Sequence, residues 1–248
     1  MIGGLAVVAA AAGAGIAISS ASSGDRHEAA TTTTTTTAPT TTTTTAPTTT
    51  TTAPTTTTTV DCHCLRMGST GPQVQDVQQR LNDLGFWLGP VNGTYGRLTQ
   101  QAVMAFQKAN GLGRDGVAGA ATLAALPTAT RPAPPNGDDG VDIDLGRQLL
   151  FVVRGGQTLW VINTSTGKSS TPTVPGDFHV YSQIDGMRHA PLGDLWRPKY
   201  FNGGDAIHGS PSIPGYPASH GCARVSNGAI DFLWSSGLVP VGSSVRVH

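Results

Sequence analysis

The sequence predicts a multidomain chain in which a small all-α bundle of three helices is followed by a mostly-β domain, both set behind a low-complexity arm. Three observations predict it. Between Cys64 and Leu126 apolar residues recur at helical spacing and glycines punctuate them. From Val141 to the C-terminus short apolar runs alternate with turn residues, which is the pattern of strands. From Ala29 to Thr59 the chain is threonine broken by Ala-Pro pairs, with too little apolar surface to offset the entropy of ordering it.

The segment Ile2–Ile18 is small and apolar and ends in a serine-rich stretch with a candidate cleavage point after Ala21, so residues 1–21 read as a signal peptide or, if retained, a membrane anchor. Residues 22–61 form a disordered Thr/Ala/Pro linker, and its threonine tract reaches up to roughly 100 Å when extended. Residues 62–127 hold the helical module. Pro72 opens a helix in which Val74, Val77 and Leu81 share a face and Gly85 closes it. A second helix is expected from Thr99 to Asn110, burying Ala102, Val103 and Phe106, and a third from Ala118 to Leu126. Cys62 and Cys64 flank His63. A disulfide suits an exported chain better than a metal, since three adjacent ligands cannot wrap one ion unaided.

A second linker, residues 128–139, leads to the β domain at 140–248. Strands are expected at Val141–Asp144, Leu149–Val153 and Thr158–Asn163, the last two joined by a Gly155-Gly156 hairpin. Others are expected near Phe178–Gln183, Ala206–His208 and Ser243–Val247, with Ser226 capping a helix that carries Ile230, Leu233 and Trp234.

Chemistry concentrates in the stretch from His208 to Asn227, HGSPSIPGYPASHGCARVSN. A lone cysteine, Cys222, follows a glycine and lies near two histidines, His208 and His220. A thiolate attacks carbonyls, and an imidazole nearby can take the thiol proton. Gly221, without a Cβ, lets the backbone turn sharply and aim N–H groups at a developing oxyanion.

This stretch resembles the active-site signature of the L,D-transpeptidase catalytic domain: His208-Gly209, a spacer, then Ser219-His220-Gly221-Cys222 and Arg224. The resemblance implies a β-sandwich-like domain with the nucleophile in a cleft between sheets. It implies Cys222 as nucleophile and His208 as general base, its ring oriented by a neighbouring backbone carbonyl. Ser219, His220 and Gly221 would shape the oxyanion turn, with the N–H groups of Gly221 and Cys222 as donors. Gly209 and Arg224 would serve substrate binding, Arg224 through a substrate carboxylate or else by bracing the fold. The segment TPTVPGDFHV is similar to another family stretch in which Val174 and Pro175 replace the central pair, a departure expected to touch a strand more than the chemistry. Trp196, Tyr200 and Asn202 are placed to line the cleft or to fill the core.

The helical segment resembles the three-helix peptidoglycan-binding domain, which implies attachment to wall glycopeptide or packing against a partner domain. Together the resemblances imply peptidoglycan as partner, a tetrapeptide-stem donor and an amine acceptor, covalent inactivation by carbapenem-type inhibitors, and a place in the bacterial cell envelope. No cofactor and no metal are expected. Zero formal net charge and 12% charged residues exclude a basic surface for nucleic acid. Two other readings stay open: a catalytically inactive wall-binding protein, and a zinc-dependent wall peptidase using His208, His220 and His189, for which no metal-binding spacing is seen.

Overall fold

The structure, a computed structural model, describes residues 64–248. The expected signal or anchor, the threonine linker and Cys62 lie outside the described residues; Cys64 is disulfide-bonded. No helix among the described residues is long and apolar enough to cross a membrane.

Three helices come first: α1 (Pro72–Asp83), α2 (Arg97–Ala109) and α3 (Ala120–Ala125). Pro72 sits in the first turn of α1, and Gly85 follows the helix with φ 81°, a conformation glycine adopts without strain. The second helix begins two residues earlier than expected, after Gly96: Thr99 lies inside its first turn, buried, where its hydroxyl accepts a hydrogen bond from Gln78 Nε2 of α1 at 2.9 Å. The third begins later, because Ala118 is still extended and exchanges backbone hydrogen bonds with Leu65.

The rest is a two-sheet sandwich. Strands β1 (Gly140–Asp144), β2 (Leu149–Arg154), β3 (Gln157–Asn163), β4 (Gly176–His179) and β10 (Ser244–Val247) form one sheet in the order β3-β2-β1-β10-β4. Strands β5 (Ser182–Gln183), β7 (Gly193–Asn202), β8 (Asp205–Ser210) and β9 (Ala223–Ser226) form the other, with β6 (Met187–Ala190) paired to β7. Both sheets are mixed: β1 with β10 and β8 with β9 are parallel pairs, and the rest are antiparallel. Gly155 and Gly156 take φ of 58° and 74°, the two positive values a tight hairpin of matched twist requires. Helix α4 (Asn227–Ser235) is capped as expected, the Ser226 hydroxyl accepting from the Ala229 N–H at 3.1 Å.

Strand β2 is an unbroken apolar run because both of its faces are buried. Leu150 and Val152 join the core between the sheets, with Val225, Ile230 and Val245. Leu149, Phe151 and Val153, together with Val161 of β3, pack instead against Val77, Leu81, Phe86 and Phe106 of the helical module. Each such side chain contributes about 1.5–3 kcal/mol on burial. The module is therefore packed on the outer face of the first sheet, and polar contacts finish the seam. Lys108 Nζ donates to the carbonyls of Gln148 at 3.0 Å and Thr164 at 2.9 Å, and Asn163 Nδ2 donates to Gln101 Oε1 at 2.6 Å. Arg131, in the expected second linker, donates to the carbonyls of Asp83, Thr158 and Leu159, which straps that segment to both sides.

Two expectations need correction. The stretch Phe178–Gln183 is not one strand: β4 and β5 belong to different sheets, and buried Val180 between them donates its N–H to the Ser243 carbonyl at 2.9 Å as the chain crosses over. The long strand β7 was not foreseen. Pro198 in its middle argues against a ladder strand, and β7 accommodates it by a register shift between Trp196 and Lys199 beside Arg197, whose φ is 47°.

Candidate active site

Strands β8 and β9 run parallel and in register, placing His208 opposite Arg224, with Cys222 just ahead of β9. A cavity of about 710 Å³ opens over this second sheet, and Cys222, His208, Ser219, His220, Arg224 and Asp205 line it. All its lining strands belong to the second sheet, so the expected cleft between the sheets is corrected: apolar side chains fill that space.

His208 is buried, and its Nδ1 lies 2.9 Å from the Gly209 carbonyl. A carbonyl can only accept, so Nδ1 carries the proton and Nε2 keeps its lone pair. Burial pushes the His208 pKa down to about 4, which the Gly209 contact opposes and the Arg224 charge reinforces. The ring is neutral at physiological pH. Burial also pushes the Cys222 thiol up; the Ala206 backbone hydrogen bond and the Arg224 charge pull it down, and the Asp205 charge pushes it further up. The resting pair is thus a thiol and a neutral imidazole rather than an ion pair.

Gly209 is not on the cavity wall. A Cβ there would meet Trp196, Asn227 and Ile230, each at 2.8 Å, so its lack of side chain serves close packing and its carbonyl serves the histidine. Trp196 likewise turns to α4, its Nε1 donating to Asp231 at 2.8 Å, whereas Tyr200 lines the cavity.

The turn before β9 is held from both sides. Ser219 Oγ donates to the Cys222 carbonyl at 2.6 Å and accepts the Gly221 N–H at 3.2 Å. That second bond commits one of the two N–H groups expected to face an oxyanion. Gly221 has φ 122°, and a Cβ there would fall far inside contact distance of Asp205 Oδ1. His220 is exposed at the edge of the cavity, its Nε2 3.2 Å from Lys168 Nζ. The Arg224 backbone exchanges hydrogen bonds with Ser165 at 3.0 and 3.1 Å while its side chain borders the cavity.

Thr173 Oγ1 donates to the Gly221 carbonyl at 2.5 Å, and Thr171 Oγ1 to the Ser219 carbonyl at 3.2 Å. The TPTVPGDFHV segment therefore reaches the turn before β9 through Thr171 and Thr173, the two threonines ahead of the Val174-Pro175 departure. Sequence reasoning also missed Asp205 and Arg188 at the cavity; neither stands in a motif. Among the described residues no group of three or more His, Cys, Asp or Glu side chains converges as metal ligands, and His189 pairs instead with Asp194 at 2.8 Å.

A two-sheet sandwich with an imidazole on one strand and a thiol just ahead of its parallel neighbour, carrying a helical module, defines a class that comparison with known proteins makes specific. The L,D-transpeptidase catalytic domain matches residues 138–247, and a putative peptidoglycan-binding domain matches residues 70–126. A crystal structure of an L,D-transpeptidase from Xylanimonas cellulosilytica is 50% identical, with a TM-score of 0.71 over 74% of this chain and 97% of that one. The chain belongs to the L,D-transpeptidase family. Two curated proteins are similar over shorter stretches. The N-acetylmuramoyl-L-alanine amidase CwlM of Mycobacterium tuberculosis is 45% identical over 56 residues, and the spore cortex-lytic enzyme of Bacillus cereus 35% identical over 82. These matches span 14% and 32% of the lengths of those proteins.

Proposed function

We propose that the chain is a cell-wall L,D-transpeptidase that cross-links peptidoglycan through a Cys222 acyl-enzyme. The observation that carries this reading is the shared cavity wall of Cys222 and His208, with His208 Nδ1 tied to the Gly209 carbonyl and Nε2 left free. Cys222 attacks the carbonyl of the third residue of a tetrapeptide stem as its proton passes to His208 Nε2, so that thiolate forms on attack and not before. The Cys222 N–H serves the oxyanion, while Ser219 and Gly221 hold the turn in shape. The imidazolium returns the proton to the departing D-alanine amine. A thioester remains, and a side-chain amine of a neighbouring stem resolves it into a cross-link.

In this reading Arg224 offers its guanidinium to a substrate carboxylate and also anchors Ser165 by its backbone. Gly209 acts through His208 and not on substrate. The helical module presents the cavity to wall glycopeptide at a fixed orientation. The protein acts in the cell envelope after export, tethered or released, and carbapenem-type β-lactams acylate it at Cys222.

Intact-mass spectrometry of the full chain with a carbapenem, beside Cys222→Ala, tests this. A drug-sized gain on the wild type alone is expected. A gain on both proteins would place acylation elsewhere, and none on either would favour a wall-binding protein without catalysis.

A further inference from the structure

Asp205 opens β8 directly after the Gly203-Gly204 turn, and that hairpin tip touches the nucleophile: Cys222 Sγ donates to the Gly204 carbonyl at 3.8 Å. The Asp205 carboxylate lines the cavity and leans on Gly221 where no Cβ stands in its way. The other carboxylate of the cavity, Asp194, has His189 for a partner. Asp205 takes part in none of the ion pairs among the described residues; its neighbour is the Asn202 amide.

This carboxylate works against the first half of the reaction. A negative charge beside a thiol opposes its ionisation, and Asp205 does push the Cys222 pKa up. Arg188 and Arg224 already give the cavity its cations, suited to the carboxylates of a donor stem. What remains unmatched is an anion at the mouth of the nucleophile, and the substrate group of opposite charge is the acceptor's ammonium.

Resting on the transpeptidase reading above, we infer that Asp205 docks the cationic side-chain amine of the acceptor stem and so sets how much acyl-enzyme goes to amine rather than water. The ammonium binds beside Asp205 and loses one proton to solvent. The free amine attacks the thioester carbonyl, the C–N bond forms and the C–S bond breaks. The second amine proton passes by way of neutral His208 to the departing Cys222 sulfur. Water carries no charge and gains nothing from the carboxylate.

The test uses the full chain, a lysine-containing tetrapeptide ending in D-alanine as donor, and two competing nucleophiles. One is the same peptide, whose side-chain amine is cationic; the other is hydroxylamine, which is uncharged at neutral pH. Products are counted by mass spectrometry in wild type, Asp205→Asn and Asp205→Glu. Asp205→Asn is expected to lower the ratio of peptide dimer to hydroxamate about tenfold, the scale of one lost close charge pair, and Asp205→Glu to restore part of it. Acylation by a carbapenem should meanwhile quicken by about threefold as the charge beside the thiol disappears. An unchanged ratio overturns the inference. So does a parallel fall with both nucleophiles, which would make Asp205 a brace for the Gly221 turn. A wild type that takes no carbapenem would instead overturn the functional reading, and this inference with it.

Discussion

Lys108 is a cation sealed in the seam between α2 and the first sheet, 2% exposed, with two carbonyl oxygens and no carboxylate at its Nζ. Burial pushes its pKa down from 10.5 to about 7, and Arg114 adds to the effect. In the unfolded chain it keeps its ordinary value. Between pH 7 and 10.5 the unfolded state therefore binds more protons than the folded one, and stability rises with pH across that window. Below about pH 7 both states carry the proton, and the full cost of the buried charge is present. Integrating between pH 6 and 8.5 gives the wild type a gain of roughly 2 kcal/mol from this group alone, a rise in melting temperature of about 5 °C for a body of this size. Lys108→Met abolishes that gain. It also leaves the Thr164 carbonyl without a donor, at about 1–3 kcal/mol, and the Gln148 carbonyl with only the Thr164 N–H at 3.3 Å, so the variant is expected to be the less stable protein at pH 8.5. Denaturant titrations of both proteins at the two pH values isolate the difference, since His208 and Lys199 titrate alike in each. Parallel pH slopes in the two proteins would refute the argument.

Carbapenem acylation should show no inflection near pH 6.5 and should fall only as pH drops through about 4, where His208 gains a proton and can no longer accept one. A half-maximal rate at pH 6.5 would mean that the ring is solvated in the working enzyme. His208→Gln should slow acylation by about 10²–10⁴, read from the rate of adduct formation. Gly221→Ala should cost about 1–3 kcal/mol in backbone strain and abolish measurable acylation; adding Asp205→Ala should relieve the clash but not the strain, so melting temperature recovers in part. Thr173→Val removes the donor to the Gly221 carbonyl and the acceptor of the Gly167 N–H, for about 1–3 kcal/mol of stability and slower acylation at an unchanged pH profile.

The histidine and cysteine were legible in the sequence because a short stretch carries both, and one parallel strand pair then brings its two ends together. The helices were legible because Val74, Val77 and Leu81 keep a helical period and Gly85 ends it. Asp205 and Thr173 were not. One reaches the Gly221 turn through a hairpin whose first strand is disguised by Pro198, and the other through a contact across 48 residues of chain. Their positions follow from pairing between distant segments, which no local spacing encodes. The strap at Arg131 was hidden for a similar reason: its sequence is that of a linker, and contacts with distant residues order it, Arg131 on three carbonyls, Arg80 Nη2 on the Ala129 carbonyl and Asn136 Nδ2 on Asp142.

The apolar seam at Leu149, Phe151, Val153 and Val161 also orders events during synthesis. A chain made from its N-terminus releases α1, α2 and α3 before β2 and β3 exist. Until those strands arrive, the apolar cluster around Phe86 and Phe106 lacks Leu149, Phe151, Val153 and Val161, so part of its apolar surface is uncovered. Once the strands arrive, Lys108 can reach the Gln148 and Thr164 carbonyls, and the residue after Thr164, Ser165, is the one that bonds the Arg224 backbone beside the cavity.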